Sequence, residues 1–291
     1  MYELVQLSDR CYFIESPAKI GLVRIGESEV CLIDSGSDKD AAKKVLRHVT
    51  ENGWTLTAIY NTHSHADHIG GNAFLQERTG CRIFAPTIEQ AFTEAPILEP
   101  TLLYGGCPPT ELQHKFLLAK ESKAGLLTDA ALPEGMTAFA LPGHALNMVG
   151  YRVGGVAYLA DALSSAETLD KYKLGYLHDV QAYLETLMHL QTMQADVFVP
   201  AHAAPTADIA PLARYNADTV MAIGDTVVSL LDTPLTAEEL LSRVFDVYGL
   251  TMNPVQYVLL GSTLRSYLTW LKGLGRVQFF IENNRFLWSR V

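Results

Sequence analysis

Short apolar runs broken by turn residues open the chain. "CYFIE" (11–15), "IGLVRI" (20–25) and "EVCLID" (29–34) are separated by Gly, Pro and charged residues, and each reads as a strand. "SDKDAAKKVLRHVTENG" (37–53) changes period. Ala41, Val45 and Val49 share one helical face, Ser37 or Asp38 can cap the start, and Gly53 can end it. "LTAIYNTH" (56–63) returns to strand, "NAFLQERTG" (72–80) to a short helix and "CRIFAP" (81–86) to strand. Further on, "MTAFALPGH" (136–144), "GVAYLAD" (155–161) and "ADVFVPAH" (195–202) are apolar runs that each stop at a polar residue. Between the last two, "DVQAYLETLMHLQTMQ" (179–194) is helical, with Tyr183, Leu184, Leu187 and Leu190 on its apolar side. This alternation predicts an α/β sandwich up to about residue 205.

Two stretches depart from it. Residues 94–124 are rich in Pro and Gly without a clean period, which predicts an irregular lid or binding loop. Beyond Pro205 come a long helix (211–231), a second (236–249) opened by the capping box Thr236/Glu239, a third (254–275) and a hairpin turning at Asn283-Asn284. That is the order of a winged-helix module, so the expected division is 1–205 and 206–291.

Composition narrows the function. The chain has 291 residues, 48% hydrophobic and 19% charged, with a formal net charge of −10. Its apolar runs fall well short of the roughly 20 residues that span a bilayer. The acidic balance argues against a general nucleic-acid binder, which needs a basic footprint. Cys11, Cys31, Cys81 and Cys107 are scattered with no CxxC spacing, and "MYELVQLSDRCYFIES" lacks the plan of a signal peptide. The expectation is a cytoplasmic protein with free thiols.

The chemistry concentrates in "NTHSHADHIGG" (61–71), where three of nine histidines and an aspartate occupy six positions after a strand. His63 and His65, two apart, point to one side of an extended segment. Asp67 and His68 follow where the chain turns towards Gly70-Gly71, so one pair can grip one ion and the next pair a second. Imidazole with carboxylate suits zinc, iron or manganese. His144, Asp161 and His202 likewise stand directly after apolar strand-like runs, and ligands at several strand ends converge on one rim of a sheet. His48 and His189 lie within helices and read as packed or solvated. His114 falls in the irregular stretch, and His178, before a helix start, can reach a substrate. Cys107 in "YGGCPP" reads as an incidental loop thiol.

HxHxDH at 63–68 followed by a distant His, Asp and His resembles the metallo-β-lactamase superfamily, and "LIDSG" (32–36) matches its early aspartate motif. The resemblance covers residues 1–205, while the tail is similar to a winged-helix extension of one branch. It implies an αββα sandwich with a dinuclear site. By position, His63, His65 and His144 would hold the first metal and Asp67, His68 and His202 the second. Asp161 would bridge them, and Asp34 would lie beneath the ligand loop. Two divalent ions, zinc first and iron or manganese next, would ionise a bridging water that attacks a carbonyl or phosphoryl centre, with Asp67 orienting it. Ala203 and Ala204 after His202, and "ALNMVG" after His144, depart from the family's usual loops and alter the pocket wall.

Within the superfamily, a flavin-dependent di-iron reductase would carry a glutamate at position 65, and a mono-iron dioxygenase a looser second site. The remaining reading is a hydrolase of a small-molecule ester, thioester or lactone, similar to glyoxalase II. Of the basic residues that such enzymes use for glutathione, only Lys171 and Lys173 stand out here. Lys173, His178 and Tyr104 are the candidate substrate contacts. The alternative is an endoribonuclease or phosphodiesterase. More remote is a DNA-binding regulator with a vestigial site, since the third tail helix carries only Arg265 and Lys272 as charges. Its apolar surface, with Tyr257, Tyr267 and Trp270 as anchors, is expected to pack on the main domain or in a homodimer.

Overall fold

The computed structural model describes residues 2–291, which divide into two units. The first comprises the chain up to Leu141, Leu146–Leu163 and Gln194–Asp208. The second comprises Pro142–Ala145, Ser164–Met193 and Ile209–Val291.

Two sheets build the first unit. A seven-stranded sheet follows chain order: β1 (Leu4–Gln6), β2 (Cys11–Ile14), β3 (Ile20–Arg24), β4 (Glu29–Ile33), β5 (Thr55–Tyr60), β6 (Arg82–Ala85) and β7 (Gly125–Leu126). Strands β1 to β4 run antiparallel, and β4 to β7 pair in parallel. The second sheet takes β8 (Met136–Ala140), β9 (Val149–Val153), β10 (Val156–Ser164) and β11 (Val197–His202) in the order β11-β10-β9-β8.

The unbroken apolar character of β4 follows from its place. Side chains alternate along a strand, so Val30 and Leu32 face one way and Cys31 and Ile33 the other. The first pair packs with Ala42, Val45 and Val49 of helix α1 (Lys39–Glu51). The second pair joins Phe13, Val23, Tyr60 and Phe84 against Tyr151, Val153, Tyr158 and Val199 of the second sheet. The buried hydroxyls of Tyr151 and Tyr158 donate to the carbonyls of Asn61 and Tyr12, each at 2.9 Å. Asp38 caps α1 by accepting from the backbone of Asp40 and Ala41.

The remaining helices of this unit are α2 (Ala66–Ile69), α3 (Asn72–Thr79), α4 (Thr87–Glu94) and α5 (Leu98–Tyr104). The stretch 94–124, expected to be irregular, thus contains α5 and a 3₁₀ turn at Thr110–Leu112. Pro100 hid the helix. It sits in the first turn, where the N–H has no intrahelical partner and a proline is tolerated, and Gly105 closes α5 in the left-handed region. Strand β9 and helix α4 likewise went unforeseen.

The second unit is helical: α6 (Ala166–Tyr172), α7 (Val180–Leu190), α8 (Ala210–Leu230), α9 (Ala237–Tyr248) and α10 (Pro254–Gly273), then the hairpin β12 (Val277–Glu282) and β13 (Arg285–Arg290). The Thr236/Glu239 capping box forms. Asn283 and Asn284 both take positive φ, 49° and 61°, as a two-residue hairpin turn of right-handed strands requires. The apolar surface of α10 packs inside this unit, against α7, α8, α9 and β12. Tyr267 and Trp270 are therefore interior residues and not free anchors for a partner. Trp270 fits because Gly224 on α8 has no side chain; a Cβ there would lie 2.6 Å from the indole. Tyr257 remains 39% exposed. Among the described residues, no helix is long and apolar enough to cross a membrane.

Candidate metal centre

The parallel pairing of β4 with β5 sets Ile33 beside Tyr60, so the residues just past both strands meet. Asp34 accepts hydrogen bonds from the Thr62 N–H at 2.8 Å and the Thr62 hydroxyl at 2.7 Å. Asp34 takes φ 64°, a left-handed position that Asp tolerates better than most residues. Beyond Thr62, His63 and His65 stay extended. One helical turn, α2, then begins after His65 and swings Asp67 and His68 to a second direction. Gly70 and Gly71 let this turn lie against the β4–α1 loop: a Cβ would come within 2.2 Å of the Ser37 carbonyl oxygen and 2.3 Å of that of Ser35. The contact is sealed by Ser35 N–H to His68 O (2.8 Å) and Gly71 N–H to Gly36 O (3.1 Å).

The ring orientations follow from what each rear nitrogen meets. His68 Nδ1 lies 2.8 Å from Asp34 Oδ2, and His202 Nδ1 lies 2.9 Å from the Pro17 carbonyl. A carboxylate or carbonyl only accepts, so each Nδ1 carries a proton and each Nε2 is turned towards Asp161, where a bound cation would take the place of a second proton. The Thr62 hydroxyl, donating to Asp34, accepts from His63 Nδ1 at 3.0 Å, which turns His63 Nε2 the opposite way, towards His65. His65 is reversed. Its Nδ1 lies 3.0 Å from His63 Nε2, while its Nε2 faces Glu99 Oε1 at 3.7 Å.

The front atoms converge. His63, His65 and Asp161 offer ligand atoms within 4.8 Å of one another, as do Asp67, His68, Asp161 and His202. Asp161 belongs to both groups: Oδ1 lies 3.0 Å from His68 Nε2 and Oδ2 3.3 Å from His202 Nε2. Asp67 Oδ2 lies 3.3 Å from His202 Nε2 and 3.7 Å from His68 Nε2. Ala160, at φ 49°, puts a left-handed kink into β10 immediately before Asp161.

These donors fit a divalent metal. A tetrahedral zinc with bonds of about 2.1 Å sets its ligands about 3.4 Å apart, within the spread seen here. His68 Nε2 is fully buried and makes no hydrogen bond of proper geometry despite the nearby carboxylate. The electrostatics agree. Partial desolvation resists ionisation of Asp67, but His68 and His202 outweigh it and pull the carboxyl down to about 2. Burial likewise opposes the Asp161 charge, and His202 and His68 overcome it and hold Asp161 well below the usual range. Asp161 raises His202 to about 10. Burial pushes His68 down, yet Asp161, Asp67 and Asp34 together drive it well above its ordinary value. A field that draws protons onto two imidazoles draws a cation equally.

His144 stands on the loop between β8 and β9, which is closed by Leu141 N–H to Met148 O at 3.0 Å. Its own segment, Pro142–Ala145, clusters with the second unit. There Gly143 O accepts from the backbones of His178 and Asp179, both at 2.9 Å, and His144 Nδ1 donates to the Tyr176 carbonyl at 3.1 Å. Gly143 at φ 117° is required, because a Cβ would lie 2.3 Å from the Tyr183 backbone. His178 is half-buried, with its carbonyl accepting from Ser266 Oγ at 2.6 Å. Lys173 is held at φ 60° in a three-residue turn closed by Leu174 N–H to Tyr172 O. Tyr104 ends α5 and is exposed. Glu89 and Glu99, both buried beside the ligand loop, escaped the sequence reading, since nothing in the local pattern distinguishes them from surface acids.

Comparison with known proteins agrees with this geometry. The family model for the metallo-beta-lactamase superfamily matches residues 15–202. The chain is 49% identical over 49 residues to a hydroxyacylglutathione hydrolase of Bradyrhizobium sp. (strain ORS 278), covering 17% of this chain and 19% of that one. A hydroxyacylglutathione hydrolase of Rhodopseudomonas palustris (strain BisB18) is 49% identical over 57 residues, 18% and 22% of the two chains. The match thus spans about a fifth of these relatives' length. Two solved structures share the fold along nearly the whole chain. A metallo-beta-lactamase family protein from Thermus thermophilus has a TM-score of 0.75 at 22% identity, covering 98% of this chain and 100% of that one. A beta-lactamase domain protein from Burkholderia ambifaria has a TM-score of 0.69 at 15% identity, covering 99% and 94%.

Proposed function

This chain belongs to the metallo-beta-lactamase superfamily, and from that premise we propose that it is a metal-dependent hydrolase of a small-molecule thioester, ester or lactone. One observation carries the reading: each rear imidazole nitrogen faces an acceptor, so the front nitrogens converge with Asp67 and Asp161 on one place. His63, His65 and His144 would hold one ion, Asp67, His68 and His202 a second, and Asp161 would reach both. Zinc is the first expectation. Bound there, two divalent ions would supply Lewis acidity to a carbonyl oxygen and lower the pKa of water between them.

The residues divide the remaining work. His63 and His68 are fully buried, whereas the Asp67 and His202 side chains are 41% and 29% exposed. Substrate would therefore approach over the Asp67–His202 side. Asp67 would accept a hydrogen bond from the attacking water and aim it at the carbonyl carbon. Lys173, His178 and Tyr104 would bind the remainder of the substrate. The stretches shared with hydroxyacylglutathione hydrolases favour a thioester first. The four free cysteines suit a reducing, cytoplasmic setting.

A second reading, an endoribonuclease or phosphodiesterase, is supported by the helix–helix–helix–hairpin order of residues 210–290, similar to a winged helix. The net charge of −10 weighs against it. The test is metal analysis of protein purified without added metal, then a panel of thioesters, lactones, phosphodiesters and short RNA before and after chelation. Chelator-sensitive turnover of a thioester or lactone is expected; turnover confined to RNA would establish the second reading, and chelator-insensitive turnover would remove both.

A further inference from the structure

Helices α4 and α5, after β6, deliver two buried carboxylates to the back of the ligand loop. Glu89, on α4, is only 2% exposed, and both its oxygens are used. Oε2 accepts from the Ser64 N–H at 3.0 Å and from the Ser64 hydroxyl. Oε1 accepts from the Asn147 N–H at 2.8 Å. Ser64 is the residue between His63 and His65, and Asn147 follows the segment that carries His144. Glu99, on α5, sits with Oε1 3.7 Å from His65 Nε2, behind the ring and opposite the nitrogen turned to the site.

We propose that Glu89 and Glu99 are positioning residues for the first metal position, holding the His63-Ser64-His65 loop and the β8–β9 loop in register. This role rests on the ligand assignment above. Asp34 supports His68 directly and His63 through Thr62, so it serves both positions. Glu89 and Glu99 instead contact the loops that carry His63, His65 and His144. Groups behind a ligand fix its orientation and basicity, and removing them costs about 10–100-fold in metal affinity. Helix α4 is then a fixed wall of the site, because swinging it away would break three hydrogen bonds made in a buried place.

The experiment compares zinc release from the zinc-loaded wild type, Glu89→Gln, Glu99→Gln, Ser64→Ala and Asp34→Asn under excess chelator, with melting temperature recorded for each. A glutamine at 89 must aim its NH₂ at an N–H donor. Glu89→Gln and Glu99→Gln should therefore release one of two zinc ions about 10–100-fold faster, the other staying within about two-fold of wild type. Ser64→Ala, which removes one hydrogen bond and keeps the fold, should shift the same ion by less, and Asp34→Asn should speed both. Wild-type release in both glutamine variants, or loss of both ions in step with the melting temperature, would overturn the proposal while leaving the hydrolase reading intact. A wild type that holds no zinc would sink the metal reading and this inference with it.

Discussion

Asp34 Oδ2 receives the His68 Nδ1–H at 2.8 Å and the Thr62 hydroxyl at 2.7 Å, so one buried carboxylate aligns ligands from both halves of the HxHxDH segment. Asp34→Ala leaves His68 without its acceptor and Thr62 without its anchor. Metal affinity is expected to fall by about 10–100-fold. Zinc titration against a competing chelator measures it, and unchanged affinity would show that the Asp34 contact only packs the loop.

Asp67 is exposed enough to meet a substrate and close enough to His202 and His68 to be held ionised. Asp67→Asn should lower kcat far more than it raises KM, because it disturbs a group used in the chemical step. Metal content must be measured in parallel. A variant that keeps both ions and a kcat within a few-fold of wild type would reduce Asp67 to a ligand.

Gly71 lies where a Cβ would be 2.3 Å from the Ser35 carbonyl, a backbone atom that cannot rotate away. Gly71→Ala is expected to cost about 1–3 kcal/mol of stability and to displace the Ser35–His68 contact. Thermal unfolding reads the first effect and zinc stoichiometry the second. Gly53→Ala, at a helix end with open space around it, should cost less, from its positive φ alone.

Thiol chemistry separates Cys107 from the other three. Cys11, Cys31 and Cys81 are buried, and burial pushes the Cys31 thiol up to about 12. The thiolate is the reactive form, so one equivalent of a thiol reagent should react quickly in native protein and four after denaturation. Fast modification of two or more native thiols would contradict the burial.

The two cations of α10 are already engaged. Arg265 pairs with Glu238 at 2.9 Å, and Lys272 lies over the Phe279 ring at 5.4 Å. Duplex-DNA binding by the C-terminal helices should accordingly be weak, with a shallow dependence on salt, since each phosphate neutralised contributes about −0.9 to the log–log slope. Sub-micromolar, steeply salt-dependent binding would revive a regulatory role.

Much of this protein was legible in sequence because the information is local. The unbroken apolar run Val30, Cys31, Leu32 and Ile33 marks a strand, which the fold buries on both faces, and the Thr236/Glu239 box and the Asn283-Asn284 turn each settle a backbone conformation within a few residues. The HxHxDH spacing specifies its own chemistry in the same local way. Glu89, Glu99, Pro17 and Tyr176 were invisible, since their roles depend on which elements the fold sets side by side. Nothing near residue 89 records that Ser64 and Asn147 will donate to it from 25 and 58 positions away. Trp270 shows the same division: its apolar stripe was plain, but Gly224, 46 residues earlier, decided that the indole would be buried within its own helical unit, because only the folded chain brings a missing side chain opposite a large one.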